Sequence, residues 1–271
     1  MTKSSSLVLA VLLACTPAVP AQLPTIDKKP WEKYFIVLKN RKFQFAITPD
    51  GEAMIYPLSK RGEIISTNNP IIFKVEILES KSDGKFTSKK IDPKSLKSDQ
   101  TAAFNPENSF TYDGSVTGGA AFEITITPDK QGFSISGKIT DKGKITNPLN
   151  VAIFIGMRPY PKDSTRTTAE TKSFGQRVKR DKFEAIIKSG TKKSYNFTDG
   201  ANLGSDMPTG VESLSMKSEA HDFTEFQVAV TGANKMTFED KNQLVSDGID
   251  FRWIIAADAN PATDILKVTA K

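Results

Sequence analysis

The alternation of apolar and polar residues is the strongest pattern in this chain. Phe43, Phe45 and Ile47 alternate with polar or small residues, and a Pro-Asp-Gly turn at 49–51 leads into a second alternating run over 54–58. Alternation with a period of two on both sides of a turn predicts a β-hairpin. A second hairpin of the same design is predicted over 122–126 and 133–139, around the turn residues 128–132.

Eight more segments have the length and composition of β-strands. They are rich in β-branched and aromatic residues and are separated by turn-forming residues, among them five Asp-Gly pairs. The segment 149–157 is apolar almost throughout, which predicts an interior strand covered on both faces. The eight segments are 34–38, 71–79, 149–157, 211–216, 223–230, 235–239, 249–256 and 265–269.

Helix signals are few. Phe183, Ile186 and Ile187 would share one face of a helix over 181–190, and 240–247 has the composition of a short helical turn, although strand or loop is the alternative for both. The whole pattern predicts an all-β fold, an antiparallel β-sandwich with few short helical turns. We expect a single domain over 34–271, which in its largest form is a two-sheet supersandwich.

The first 21 residues have the layout of a secretory signal peptide. Lys3 precedes an apolar run over 7–14, and small residues follow up to Ala21. The apolar run is far shorter than the roughly 20 residues that span a bilayer, so no transmembrane span is predicted. Cleavage after Ala21 would give a secreted or periplasmic protein, with 22–33 as a leader before the domain.

The single cysteine offers an alternative fate for the N-terminus. The string Leu-Leu-Ala-Cys at 12–15 resembles the lipobox of bacterial lipoproteins, and this resemblance implies a lipid anchor at Cys15 on the cell envelope. Leu13 departs from the pattern, because that family prefers a small residue there. Either outcome leaves the exported protein without a disulfide.

The inventory of catalytic side chains is thin. One cysteine and one histidine exclude Cys/His zinc sites, iron–sulfur clusters and sites with two histidines, and the motifs of common hydrolases, nucleotide-binding proteins and metalloproteases are absent. His221 has Glu219 and Asp222 nearby, a pattern that suits a general base but is more typical of a surface turn. The glycine-rich segment 199–206 has oxygen ligands for Ca²⁺, although a plain turn is favoured. We predict no metal site and no cofactor.

Charge is distributed unevenly along the chain. Residues 158–193 hold eleven basic and four acidic residues, a net charge of +7, whereas 194–271 have a net charge of −6. Arginines in the basic segment can hold carboxylate, sulfate or phosphate groups through paired hydrogen bonds, and Tyr160, between two prolines, is a candidate contact residue. The alternative is a solvated loop. The candidate binding residues are Arg158, Tyr160, Arg166, Arg177 and Arg180.

These features predict an exported, non-catalytic binding or structural protein of the cell envelope or extracellular space that binds an anionic polysaccharide. Nucleic acid is not expected, because the basic segment lacks interleaved aromatic residues. The alternative is a carbohydrate-active enzyme, a glycoside hydrolase, a lyase or a mutarotase-like protein, with unidentified acidic residues. The architecture resembles the galactose-mutarotase supersandwich, but that family uses two histidines and this chain has one. Trp253 alternates with core residues, whereas Trp31 in the leader is freer to contact a sugar ring.

Overall fold

The computed structural model describes residues 23–65, 70–157, 176–177, 179–187, 190–196, 211–218, 223–230, 235–239, 249–256 and 266–270. These residues form seventeen β-strands and one 3₁₀ turn, Pro93–Ser95. The strands are β1 (Ile36–Lys39), β2 (Phe43–Ile47), β3 (Ala53–Pro57), β4 (Ile71–Ser80), β5 (Phe86–Lys89), β6 (Ala103–Phe104), β7 (Phe110–Ser115), β8 (Ala121–Pro128), β9 (Gly132–Asp141), β10 (Leu149–Met157), β11 (Lys182–Ile187), β12 (Lys192–Asn196), β13 (Val211–Ser218), β14 (Phe223–Val230), β15 (Lys235–Glu239), β16 (Ile249–Ala256) and β17 (Leu266–Ala270).

The strands form two sheets that face each other, so the predicted all-β sandwich is confirmed. The first sheet has the order β15-β16-β10-β4-β3-β2-β1-β6, with β5 also paired to β4. The second has the order β12-β11-β13-β14-β17-β9-β8-β7. Pairing among the described strands is antiparallel, apart from the parallel contact of β1 with β6. Both predicted hairpins are present, as β2–β3 in the first sheet and β8–β9 in the second.

Aromatic side chains hold the two sheets together across the core. Phe45 of the first sheet stacks on Phe133 of the second, with ring centroids 4.2 Å apart. Phe43 and Phe73 meet the same Phe133 ring edge-on at 6.0 and 5.9 Å. Edge-on and offset-stacked rings are the arrangements that aromatic quadrupoles favour. The alternating phenylalanines of the two predicted hairpins therefore meet in the interior.

The strand prediction for 149–157 is confirmed, since β10 lies between β4 and β16. The helix considered for 181–190 is wrong, because β11 occupies Lys182–Ile187. Phe183 and Ala185 are buried while Lys182 is exposed, so the chain follows a period of two. The helical spacing of Phe183, Ile186 and Ile187 was a coincidence of a short segment.

The basic segment 158–193 is not one continuous excursion. Residues 182–187 form β11, and Lys192 and Lys193 open β12, so its last part belongs to the second sheet. Residues 158–175 and the helical turn considered at 240–247 lie outside the described residues. Within the residues that the structure describes, no helix is long and apolar enough to cross a membrane.

The N-terminal leader packs on the sandwich. The backbone N–H of Leu23 donates to Pro49 O at 3.1 Å, and that of Ile26 donates to Tyr34 O at 2.9 Å. Both Leu23 and Ile26 are buried. The segment from residue 23 is therefore an integral part of the fold and covers the outer face of β1 and β2.

Candidate functional site

One end of the sandwich brings together turns from both sheets, and we call it the rim end. The β1–β2 turn, the β6–β7 loop and the β8–β9 turn lie there, because β1, β6 and β8 all run toward this end. A cleft of about 210 Å³ opens between them, and we call it the rim cleft. Its polar lining comes from Lys39, Asn40, Asn105, Asp129 and Lys130.

Asn40 shapes the β1–β2 turn on the first-sheet side of the rim cleft. Its Oδ1 accepts hydrogen bonds from the backbone N–H groups of Lys42 at 2.7 Å and Phe43 at 2.9 Å. Asparagine commonly closes turns in this way, by hydrogen bonding to the backbone two or three residues on. Its Nδ2 lies 3.4 Å from Gln131 O in the β8–β9 turn, so the same side chain links the two walls.

Asn105, which follows β6, lies on the first-sheet wall of the rim cleft in a constrained conformation. Its φ of 47° makes it the one non-glycine residue with positive φ in the described part of the chain. Its side chain accepts from Lys39 N at 2.6 Å and donates to Lys39 O at 3.1 Å, which fixes the end of β1. Asparagine tolerates this backbone region better than most residues. Asn105 therefore positions Lys39.

The rim cleft is cationic. Lys39 and Lys130 line it, and Arg41 and Lys42 are exposed on the adjoining turn. Within the described residues, none of these four side chains forms an ion pair with a carboxylate. The one acidic residue in the cleft lining, Asp129, pairs with a different cation, Lys267.

The carboxylate of Asp129 is held by two groups. Lys267 Nζ donates to it at 2.5 Å, and the backbone N–H of Gln131 donates at 2.9 Å. These contacts lower the pKa of Asp129 below its usual range, with the Lys267 hydrogen bond as the largest cause. Asp129 stays ionised and bound to Lys267 at neutral pH. It therefore does not balance the charge of the four cations.

An aromatic surface adjoins the cationic cleft. Trp31 stacks on Phe104 with ring centroids 4.9 Å apart and an interplanar angle of 21°. Phe104 is 40% exposed, and Lys39 Nζ lies 5.8 Å from the Trp31 ring centroid. The leader tryptophan thus lies beside Lys39. A flat aromatic surface next to fixed cations can contact both the apolar face and the anionic groups of a charged sugar.

Arg177 and Arg180 lie at the same end of the second sheet as the rim cleft. They share a turn, with Arg180 N donating to Arg177 O at 2.9 Å, just before β11. In the second sheet, successive strand pairings connect Glu184, near the start of β11, with Gly132, at the start of β9. The pairings pass through β13, β14 and β17. Four strand spacings separate the two turns, roughly 19 Å.

The other predicted binding residues, Arg158, Tyr160 and Arg166, lie outside the described residues. Strand β10 ends at Met157 at the rim end, and the basic segment begins with the next residue. His221 with its acidic neighbours, the segment 199–206 and Cys15 are also outside. In the part of the chain that the structure describes, no group of three or more histidine, cysteine or acidic residues could hold a metal ion.

The sequence reasoning missed the rim cleft, although a local signal was present. The string Lys-Asn-Arg-Lys at 39–42 places three cations in a tight turn between two strand predictions. Charge summed over long segments hid it, because residues 1–157 hold many acids as well. The convergence with Lys130 depends on contacts between distant parts of the chain, and no local pattern shows such contacts.

Comparison with known proteins adds no relative. No protein-family model matches the chain, and no curated protein is significantly similar to it. The chemistry of the rim cleft therefore rests on its own residues.

Proposed function

We propose that this protein is an exported, non-catalytic binding protein that holds an anionic polysaccharide at the rim end of its sandwich. The observation that carries the proposal is the rim cleft. Lys39 and Lys130 reach it from different sheets, and Arg41 and Lys42 flank it without a compensating acid among the described residues. A polymer with repeated carboxylate or sulfate groups matches several fixed cations at once.

A polymer suits the rim end better than a small anion does. The cations continue from the rim cleft to the turn of Arg177 and Arg180, roughly 19 Å away across the second sheet. An extended polymer spans such a distance, whereas a small anion does not. Trp31 and Phe104 supply an apolar surface that a pyranose ring can contact. A simple phosphate or sulfate ion has no apolar face to place on it.

Export by residues 1–21 is part of the proposal. Leu23, two positions after Ala21, is buried and hydrogen-bonded to Pro49 O, so cleavage after Ala21 would leave the packed leader intact. Lipid attachment at Cys15 would leave 16–22 as a short tether to the same fold. Mass spectrometry of the protein from its native cell should find either Gln22 or a lipidated Cys15 at the N-terminus. An intact Met1 would contradict both.

Binding isotherms with a polyuronate, a sulfated glycan and neutral dextran test the ligand class. Affinity for the two anionic polymers should fall steeply with added salt, because exposed charges are screened over about 8–10 Å at physiological ionic strength. Dextran should bind weakly at every salt concentration. Equal, salt-independent binding of all three polymers would overturn the proposal. Release of shortened or unsaturated products would move the protein to the enzyme class.

Two triple variants of equal charge locate the site. Arg41→Ser/Lys42→Ser/Lys130→Ser removes three cations at the rim end and should weaken polyanion binding about tenfold or more, since an exposed ionic contact contributes up to about 1 kcal/mol.

The matched control is a triple variant at Lys81, Lys142 and Lys144, each changed to serine, at the opposite end of the sheets. It should bind as the wild type does. Equal losses in both variants would show attraction by net charge alone and would contradict the site.

A further inference from the structure

A second cavity crosses the first sheet at a place where β4 lacks a neighbour. On one edge, β4 pairs with β3 over 71–73 and with β5 over 77–80. No described strand lies beside 74–76 on that edge. The opening, of about 260 Å³, leads between the two sheets, and we call it the gap cavity.

The walls of the gap cavity are mainly apolar. Met54 and Val75 line it from the first sheet, Leu96 from the segment after β5, and Phe122 from the second sheet. Gly114 leaves room for this wall, because a Cβ there would meet Leu96 Cδ2 at 2.7 Å and Phe122 Cζ at 2.5 Å. The cavity is therefore built by packing that extends from the outer face of one sheet to the inner face of the other.

Tyr112 lines the gap cavity from the second sheet. Its side chain is only 4% exposed, and its hydroxyl has no hydrogen-bond partner among the described residues. Burial raises the pKa of Tyr112 well above its usual value, so the phenol stays neutral. Buried hydroxyl groups in proteins nearly always have a partner. The hydroxyl of Tyr112 is thus a donor that a bound molecule can satisfy.

The side chains that line the gap cavity include one buried polar group. That group is the Tyr112 hydroxyl, whereas the charged residues Asp50, Glu52 and Lys74 are exposed. An apolar molecule with one oxygen matches the apolar walls and this hydroxyl together.

We propose that the gap cavity binds a small, uncharged ring molecule with one oxygen substituent, such as a short-chain alkylphenol, with its oxygen at the Tyr112 hydroxyl. A cavity of about 150 Å³ already holds benzene, so the larger gap cavity takes a ring with a short alkyl group. A carboxylate is disfavoured, because it would lose its hydration in an apolar site. The site is independent of polysaccharide binding at the rim end.

Calorimetric titration of the mature protein with 4-ethylphenol, ethylbenzene and 4-ethylbenzoate tests the proposal. 4-Ethylphenol should bind most tightly, ethylbenzene about five- to tenfold more weakly for want of one hydrogen bond, and 4-ethylbenzoate most weakly. The ¹³C-methyl resonance of Met54 should shift with the first two ligands, because Met54 lines the cavity. No saturable binding of either neutral ligand would overturn the proposal.

Substitutions separate the roles of the hydroxyl and the cavity. Tyr112→Phe should lower the affinity for 4-ethylphenol about five- to tenfold and leave that for ethylbenzene unchanged. Tyr195→Phe, the matched loss of a phenol hydroxyl outside the cavity, should change neither. Val75→Phe should fill the space and abolish both. Unchanged 4-ethylphenol binding in Tyr112→Phe would overturn the assigned contact even if Val75→Phe fails to fold.

Discussion

The outer faces of the two sheets differ more than their inner faces do. In the first sheet, the outward side chains of Val37, Ala46 and Ala152 are fully buried. In the second sheet, outward hydroxyl groups remain half-exposed, and Thr111 and Thr125 lie side by side with their oxygens 3.0 Å apart. At these positions β1, β2 and β10 of the first sheet are therefore covered on both faces, whereas the second sheet packs on one face and presents half-exposed hydroxyl groups on its other side.

This difference explains where polar groups are costly. Gln44, on the covered outer face of β2, is 1% exposed, and neither polar atom of its amide has a hydrogen-bond partner in the described part of the chain. Tyr56, its neighbour in β3, is also buried. Burial and the neighbouring Tyr34 raise the pKa of Tyr56 to about 12. On the second sheet, Thr111, Thr125 and Ser136 are half-exposed, so water can reach their hydroxyl groups.

The largest expected effect is a difference in the free energy of unfolding between two variants, each with a new carboxylate on the outer face of one sheet. Ala152→Asp puts a carboxylate on a fully buried position beside Glu76 and should lower the free energy of unfolding by about 3–5 kcal/mol. Ser136→Asp, on the half-exposed face of β9, should change it by less than about 0.5 kcal/mol. Urea denaturation measures both. Similar losses in the two variants would contradict the contrast between the faces.

The next effect tests the unpartnered amide. Gln44→Met keeps the length of the side chain and removes the buried polar group, so we expect the protein to gain about 1 kcal/mol of stability. Gln227→Met on the outer face of the second sheet should be neutral within about 0.5 kcal/mol. The urea midpoints of the two variants decide. A marked loss of stability in Gln44→Met would show that the amide has a partner essential to the fold.

Part of the contrast between the sheets was visible in the sequence. The unbroken apolar run of β10 predicted a strand covered on both faces. The two hairpins alternate in the same way, however, and the sequence did not show that β2 is buried on both faces whereas β8 is buried on one. β11 was harder, because in a segment of six residues Phe183, Ile186 and Ile187 also fit the period of a helix. Short strands such as β6 have too few residues to show any period.

The candidate sites could not be predicted in the same way. The rim cleft joins the β1–β2 turn to the β8–β9 turn, some ninety positions along the chain, as the contact of Asn40 with Gln131 shows. The gap cavity exists because β3 and β5 stop short of each other along β4. Both depend on register and on strand length. Local periodicity gives strand boundaries only to within a few residues.

The third effect is a dependence on alkaline pH, to which Tyr56 on the covered face contributes. Because the pKa of Tyr56 is raised to about 12, folding favours its neutral form. This contribution is fully present below the tyrosine pKa of the unfolded chain, about 10, and is lost as the pH rises from about 10 to 12. Tyr56→Phe should therefore flatten the fall in urea midpoint over that range. An unchanged slope would place the alkaline sensitivity elsewhere.

The smallest effect concerns the exposed ion pair of the second sheet. Lys267 lowers the pKa of Asp129, so this pair stabilises the fold at neutral pH and loses that contribution as the pH falls through the lowered pKa. Asp129→Asn should lower the free energy of unfolding by no more than about 1 kcal/mol near pH 7, because surface pairs are screened by solvent. It should have no effect at a pH where the carboxylate of the wild type is protonated. Urea midpoints of the two proteins should therefore converge in acid.

Lys138, which pairs with Glu123 at 2.7 Å on the same polar face, provides the control: Lys138→Met should leave the acid dependence at Asp129 unchanged. A loss at neutral pH as large as that of Ala152→Asp would show that the outer face of the second sheet is not solvated as its half-exposed hydroxyl groups indicate.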